Sequence, residues 1–377
     1  MKFNTKCVHG GGKPDSTGAI SPAIYMSSTF THPGLGETTG FQYTRESNPT
    51  RDRLETLIAG LEEGTDAIAF SSGMAAVDAV FHLFSPGDHV ILGDDLYGGS
   101  IRLFTNIYEK NGVEFTYVGT SDLDAVQAAF KPNTKAVYIE TPTNPMMEIT
   151  DVRALSKMAH DRNALVIVDN TFLSPYFQKP LNLGADIVVH SGTKFIGGHH
   201  DVISGFTIVK DDELAAQLRL IYKTVGACLS AFDSWLVIRG VKTLALRMEQ
   251  HQKNAIALAE WLKNEPKVTK VLFPALPEHP GYEINKSQTT GFGGMLSFEV
   301  DSEETAKQVL EGIQLIQFAE SLGGTESLLT YPVTQTHPDL KPEDAERKGI
   351  TRRLLRLSVG IEDTDDLIAD LAQAFNK

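Results

Sequence analysis

Two short apolar runs constrain this chain more than any other feature. Ala164-Leu165-Val166-Ile167-Val168 delivers Asp169-Asn170-Thr171, and Ala185-Asp186-Ile187-Val188-Val189-His190 delivers Ser191-Gly192-Thr193-Lys194. Near-continuous β-branched hydrophobicity of this length belongs to strands covered on both faces, which means a parallel sheet. Open α/β sheets bind ligands beyond the carboxyl ends of their strands. A carboxylate and an amine delivered to that edge suit pyridoxal 5'-phosphate (PLP), which needs a lysine for its aldehyde and an acid for its ring nitrogen. Each residue alone is equally consistent with a solvated strand end, so the neighbouring motifs decide.

Strand and helix patterns alternate from about residue 55. Asp66-Ala67-Ile68-Ala69-Phe70 leads into Ser71-Ser72-Gly73-Met74 and an alanine-rich helical stretch, followed by strands at His89–Leu92, Glu114–Val118 and Ala136–Ile139. Helices are predicted near 99–111, 122–130 and 150–162, which gives an α/β fold with a mainly parallel sheet. Val202–Val209 follows the lysine too closely for a crossover and is predicted antiparallel. One long helical region is predicted from about 231 to 264, and the less regular pattern beyond it suggests a smaller C-terminal α+β domain. Residues 1–50, rich in Gly, Pro, Ser and Thr, read as an arm embracing a neighbouring subunit. The expected division is therefore 1–50 arm, 51–235 cofactor-binding α/β domain and 236–377 C-terminal α+β domain.

With 377 residues, 41% of them hydrophobic, the chain can bury two cores. A net charge of −14 disfavours nucleic acid and anionic membrane as partners. The first residues, Met1–Lys6, are not followed by the apolar core expected of a signal peptide, and no uncharged apolar stretch approaches the length needed to span a bilayer. Cys7 and Cys228 match no metal or redox spacing, so a reducing, cytoplasmic setting is expected.

Other strand ends carry matching polar groups. Ser71-Ser72-Gly73-Met74 opens a helix, where unpaired backbone N–H groups and the helix dipole attract phosphate. Gly73 admits close approach, and Ser191 and Thr193 offer hydroxyls. Tyr97, in Asp94–Gly99, is placed to stack on a flat ring. Asn144, between Pro142 and Pro145, sits on a stiffened loop.

Tyr43–Arg51, Ser72–Ala76, Leu96–Gly99, Glu140–Pro145, Asp169–Thr171, Ser191–Lys194, Glu320–Gly324 and Arg356–Gly360 together resemble the Cys/Met-metabolism family of PLP-dependent enzymes. That family includes cystathionine β- and γ-lyases, cystathionine γ-synthase and methionine γ-lyase, and the resemblance spans nearly the whole chain. It implies the fold type I architecture of aspartate aminotransferase and a homo-oligomer with shared active sites, a tetramer built as a dimer of dimers. It also implies roles. Lys194 would bond the cofactor and later shuttle protons, Asp169 would pair with the ring nitrogen, and Tyr97 would stack and assist in acid–base steps. Gly73, Met74, Thr171, Ser191 and Thr193 would hold the cofactor from one subunit, with Asn144 beside them, while Tyr43 and Arg45 would reach it from the neighbour. Arg356 would clamp the substrate carboxylate with Asn144 and Ser321, and Arg102 and Glu320 would line the distal end of the substrate. Gly192 stands where the family commonly has alanine.

Methionine γ-lyases typically carry cysteine at the position of Gly99 and lack the acid at 320, so the resemblance implies a cystathionine enzyme. β-Elimination, giving homocysteine, pyruvate and ammonia, is favoured; γ-elimination to cysteine and 2-oxobutyrate is the alternative, then cystathionine γ-synthase. Two rivals come from other classes: a zinc hydrolase using His190, His199, His200 and Asp201, and a non-catalytic binding protein on the same scaffold. No HExxH spacing supports the first, and no metal site is expected.

Overall fold

The computed structural model describes residues 1–338 and 342–377. Seven strands form the first sheet: β1 Asp66–Phe70, β2 His89–Gly93, β3 Glu114–Val118, β4 Thr134–Glu140, β5 Leu165–Asp169, β6 Ile187–Ser191 and β7 Gly205–Val209. Their spatial order is β1-β7-β6-β5-β4-β2-β3. The pairings from β6 through β3 are parallel, whereas β7 runs antiparallel to both β6 and β1. The expected mainly parallel sheet and the antiparallel strand after Lys194 are both present.

Alternation along the strands sends side chains to two covered faces. Ile167, Ile187 and Val189 pack in one cluster with Val77 and Val80 of α3 (Gly73–Phe81). Val166 and Val168 pack on the other face, with Val152 and Leu155 of α6; Val188 joins Leu54 and Ile58 of α2 there. The layer helices are α1 Phe3–His9, α2 Pro49–Glu62, α3, α4 Gly98–Leu103, α5 Leu123–Ala129, α6 Val152–His160, α7 Ser174–Phe177 and α8 Asp212–Val225. Their starts follow local rules: Asn48 caps α2 ahead of Pro49, and the Ser72 hydroxyl accepts from Ala75 N to cap α3.

The second sheet comprises β8 Val268–Leu272, β9 Met295–Val300, β10 Gln317–Phe318, β11 Leu328–Thr330 and β12 Leu354–Ser358, in the order β10-β11-β12-β9-β8. It packs with α10 Leu244–Lys263, α12 Glu303–Gly312 and α14 Thr364–Phe375 around Phe298, Leu357 and Leu371; α11 Tyr282–Gln288 and α13 Pro342–Arg347 complete the chain.

Two details go beyond the sequence reading. The long helical region expected over 231–264 comprises two helices, α9 Ala231–Val241 and α10, separated at Lys242–Thr243. Val237 and Ile238 of α9 join the α2 cluster. The N-terminal fifty residues are not irregular throughout either: α1 buries Cys7 against the chain's own core. Beyond it Ile20 is 87% exposed and Leu35 fully so.

Candidate active site

A cavity of about 420 Å³ opens at the carboxyl ends of β4, β5 and β6, under the start of α3 and against β12. It brings together Gly73, Met74, Tyr97, Arg102, Asn144, Asp169, Thr171, Ser191, Thr193, Lys194, Glu320, Ser321 and Arg356. Of the cofactor- and substrate-binding residues expected from the sequence, Tyr43 and Arg45 lie outside it. Arg45 stacks over the Tyr43 ring at 5.5 Å and donates to the Lys223 carbonyl.

The lysine stands on the tight turn after β6, where its amide donates to Ser191 O and its carbonyl accepts from Gly198 N. Its Nζ donates to Ser321 Oγ at 3.0 Å. Ser321 adopts the left-handed conformation, φ 82°, an uncommon state for a non-glycine residue that aims the hydroxyl at the amine. Burial lowers the Lys194 pKa to about 8, and the nearby Arg356 charge works the same way.

Asp169 accepts from Thr171 N at 2.9 Å, and Thr171 Oγ1 in turn accepts from Ser191 N at 2.8 Å. This locks the ends of β5 and β6 together. Thr193 exchanges bonds with both backbone groups of Ser204, the N–H donating to Oγ1 at 3.0 Å. A Cβ on Gly73 would lie 2.9 Å from Ser191 Cβ, so glycine lets the first turn of α3 close down on the lysine turn.

Arg356, on β12, is 1% exposed. It donates to Asn144 Oδ1, the Ser321 carbonyl and Thr330 Oγ1 at 2.9 to 3.2 Å, while its Nε has no partner. No carboxylate of the described residues forms an ion pair with it, and burial lowers its pKa to about 10. A buried cation without a counter-charge is costly. Asn144 belongs to a loop with cis peptide bonds at Thr141-Pro142 and Asn144-Pro145, and its visible task is to orient this guanidinium.

Sequence reasoning assigned no task to Glu140, which lines the cavity and accepts from Tyr97 N at 2.9 Å, fixing the start of α4. It pairs with Asp169 across β4 and β5. Burial, and then the charge of Asp169, raises its pKa well above the carboxylate range; burial raises Asp169 as well and brings the adjoining Asp95 to about 6. The Leu96-Tyr97-Gly98-Gly99 motif also acquires a steric reason: a Cβ on Gly99 would lie 2.4 Å from the Tyr97 ring. The cavity further includes Thr336 and Gln335, which no sequence signal marked.

These features fit PLP without adjustment. A protonated ring nitrogen suits the buried carboxyls of Asp169 and Glu140, the unpaired N–H groups at the start of α3 suit a phosphate, and Lys194, its pKa lowered by burial, lines the same cavity. Among the described residues no group of three or more His, Cys, Asp or Glu side chains could hold a metal ion. His190 bonds instead to Glu62 and His199 to the Gly197 carbonyl.

Fold and site therefore define a PLP-dependent enzyme acting on amino acids. The family described as Cys/Met metabolism PLP-dependent enzyme matches residues 4–376, and the chain belongs to it. Relatives include a cystathionine gamma-lyase of Bacillus subtilis, 48% identical over 99% of both chains, and a cystathionine beta-lyase of Lactococcus lactis, 48% identical over 100% and 99%. A cystathionine gamma-synthase of Haemophilus influenzae is 50% identical over 99% and 97%. The crystal structure of cystathionine gamma-lyase from Lactobacillus plantarum complexed with L-serine superposes with a TM-score of 0.98 at 47% identity, covering 100% of this chain and 99% of that one.

Proposed function

We propose that this enzyme is a carbon–sulfur lyase that cleaves L-cystathionine, with β-elimination favoured. The observation that carries the reading is the buried, carboxylate-free Arg356 sharing one cavity with Lys194, Arg102 and Glu320. Cystathionine is an amino acid at both ends. Arg356 offers a planar fork for one carboxylate, and Arg102 and Glu320 offer opposite charges for the second carboxylate and ammonium.

PLP, when bound, withdraws electrons from the substrate Cα. Lys194 would hold the cofactor, and its Nζ, freed and neutral, would take the Cα proton, a role that its lowered pKa favours. Ser321 Oγ holds that amine in line. Asp169 keeps the ring nitrogen charged, because an adjacent anion favours the protonated form. Gly73, Met74, Ser191 and Thr193 would hold the phosphate, Thr171 steadies Asp169, and Tyr97, half exposed at the cavity mouth, would cover the ring. The electron pair left at Cα would become a Cα=Cβ bond as the Cβ–S pair leaves on sulfur, which would take a proton from Lys194 or Tyr97. The remaining three-carbon fragment hydrolyses to pyruvate and ammonia.

The second reading is γ-elimination, favoured by the γ-lyase names among both the relatives and the solved structures. Product analysis with L-cystathionine separates the two. Pyruvate with homocysteine supports β-cleavage, and 2-oxobutyrate with cysteine supports γ-cleavage. Turnover only with an O-acylhomoserine plus cysteine would refute both.

We further propose a homo-oligomer, assembled as a tetramer, in which Tyr43 and Arg45 enter a neighbour's cavity. The exposed apolar arm supports this reading. Two unpaired cysteines support a cytoplasmic setting.

A further inference from the structure

A second polar cluster lies behind the sheet edge that carries Asp169 and Lys194, and the reaction above makes no use of it. Glu62, the last residue of α2, accepts from His190 Nε2 at 2.5 Å and from Asn170 Nδ2 at 2.9 Å, both on Oε1. Asn170 exchanges two bonds with Gln178, whose amide also donates to the Thr141 carbonyl at 3.2 Å. Glu62, Asn170, His190 and Gln178 are at most 1% exposed. Glu62 Oε2 and His190 Nδ1 have no partner at all.

Burying such a cluster is expensive, and an apolar replacement would often be as stable. Its placement suggests what it does. Each residue it holds is the chain neighbour of a cavity residue: Thr141 of Glu140, Asn170 of Asp169, His190 of Ser191. Strand alternation puts His190 on the face opposite Val189, so the cluster braces three strand ends from beneath.

We propose that Glu62 is a positioning residue for the cofactor, setting the position of Asp169 through His190 and Asn170. The inference depends on PLP binding and not on which carbon–sulfur bond is cleaved.

The test compares Glu62→Gln, His190→Asn and the double variant with the parent enzyme. PLP is removed from each purified holoenzyme with hydroxylamine and titrated back. The readouts are the dissociation constant, the visible spectrum of the bound cofactor, kcat and KM, and the melting temperature of the PLP-free protein. Glu62→Gln is expected to weaken PLP binding about tenfold, the scale at which outer residues tune a bound group. It should also shift the visible band and lower kcat more than KM. The double variant should resemble the singles, because the pair acts as one unit. A parental spectrum, PLP affinity and kcat in Glu62→Gln, with or without a lower melting temperature, would overturn the proposal, as would independent, additive effects of the two substitutions.

Discussion

Lys194 and Arg356 show how one cavity uses two cations differently. Burial and mutual repulsion bring the lysine to about 8, so its amine gains the neutral, nucleophilic form as pH rises through that value. PLP capture by cofactor-free protein should therefore accelerate with pH, with a midpoint near 8 in stopped-flow absorbance; a flat profile from 6 to 9 would contradict the assignment. The arginine stays charged, and its fork is built into place by Asn144, Ser321 and Thr330. Arg356→Lys keeps the charge and loses the paired donors, which should raise KM for L-cystathionine about 10- to 100-fold. At this scale the sequence was largely legible. Lysine, aspartate and arginine each sit at the end of, or within, an apolar strand, where a charge needs a reason. Glu140 was less so: its burial and its grip on Tyr97 depend on how β4 and β5 pair, which no local pattern reveals.

Among the elements, β7 and α3 depend on each other. A Cβ on Gly205 would stand 2.1 Å from the Ser72 carbonyl, so β7 can run beside β1 only because that position is bare. Gly205→Ala should push α3 away from the lysine turn, at a cost of about 1–3 kcal/mol for overpacking. It should lower the melting temperature and weaken PLP binding together; loss of one without the other would separate helix placement from cofactor binding. The parallel strands were readable because both of their faces are covered. β8 was not, for it is an edge strand with Thr269 and Lys270 exposed. α8 carries clear end signals, Asp211 before it and Gly226 after it at φ 83°, yet its polar face breaks the apolar rhythm that marks its neighbours. The split between α9 and α10 has no proline or internal glycine pair to announce it.

For the molecule as a whole, the arm poses the main question. Tyr43 and Arg45 sit away from the chain's own cavity, and Ile20 and Leu35 are left to solvent. If sites are shared, mixing inactive Lys194→Ala and Arg45→Ala proteins through unfolding and refolding should restore activity, since each mixed pair contains one intact site. No recovery above the separate variants would place Arg45 outside the neighbour's chemistry. Such sharing is invisible to strand and helix periodicity; only the irregular composition of the first fifty residues hints at it.

The position of β7 also bears on how the chain is made. β1 is the edge strand of the first sheet and its ladder partner is β7, so β1 emerges from the ribosome long before the strand it needs. Until Val209 has been synthesised, that edge has unpaired N–H and C=O groups available to any passing strand. The lysine turn lies between β6 and β7, so the step that seals this edge also fixes Thr193 and Lys194 in place, while Ser321 and Arg356 of the same cavity are still to be made. A nascent chain halted before residue 205 should therefore be sticky, and one carried past residue 209 should lose that property before the rest of the cavity has been synthesised.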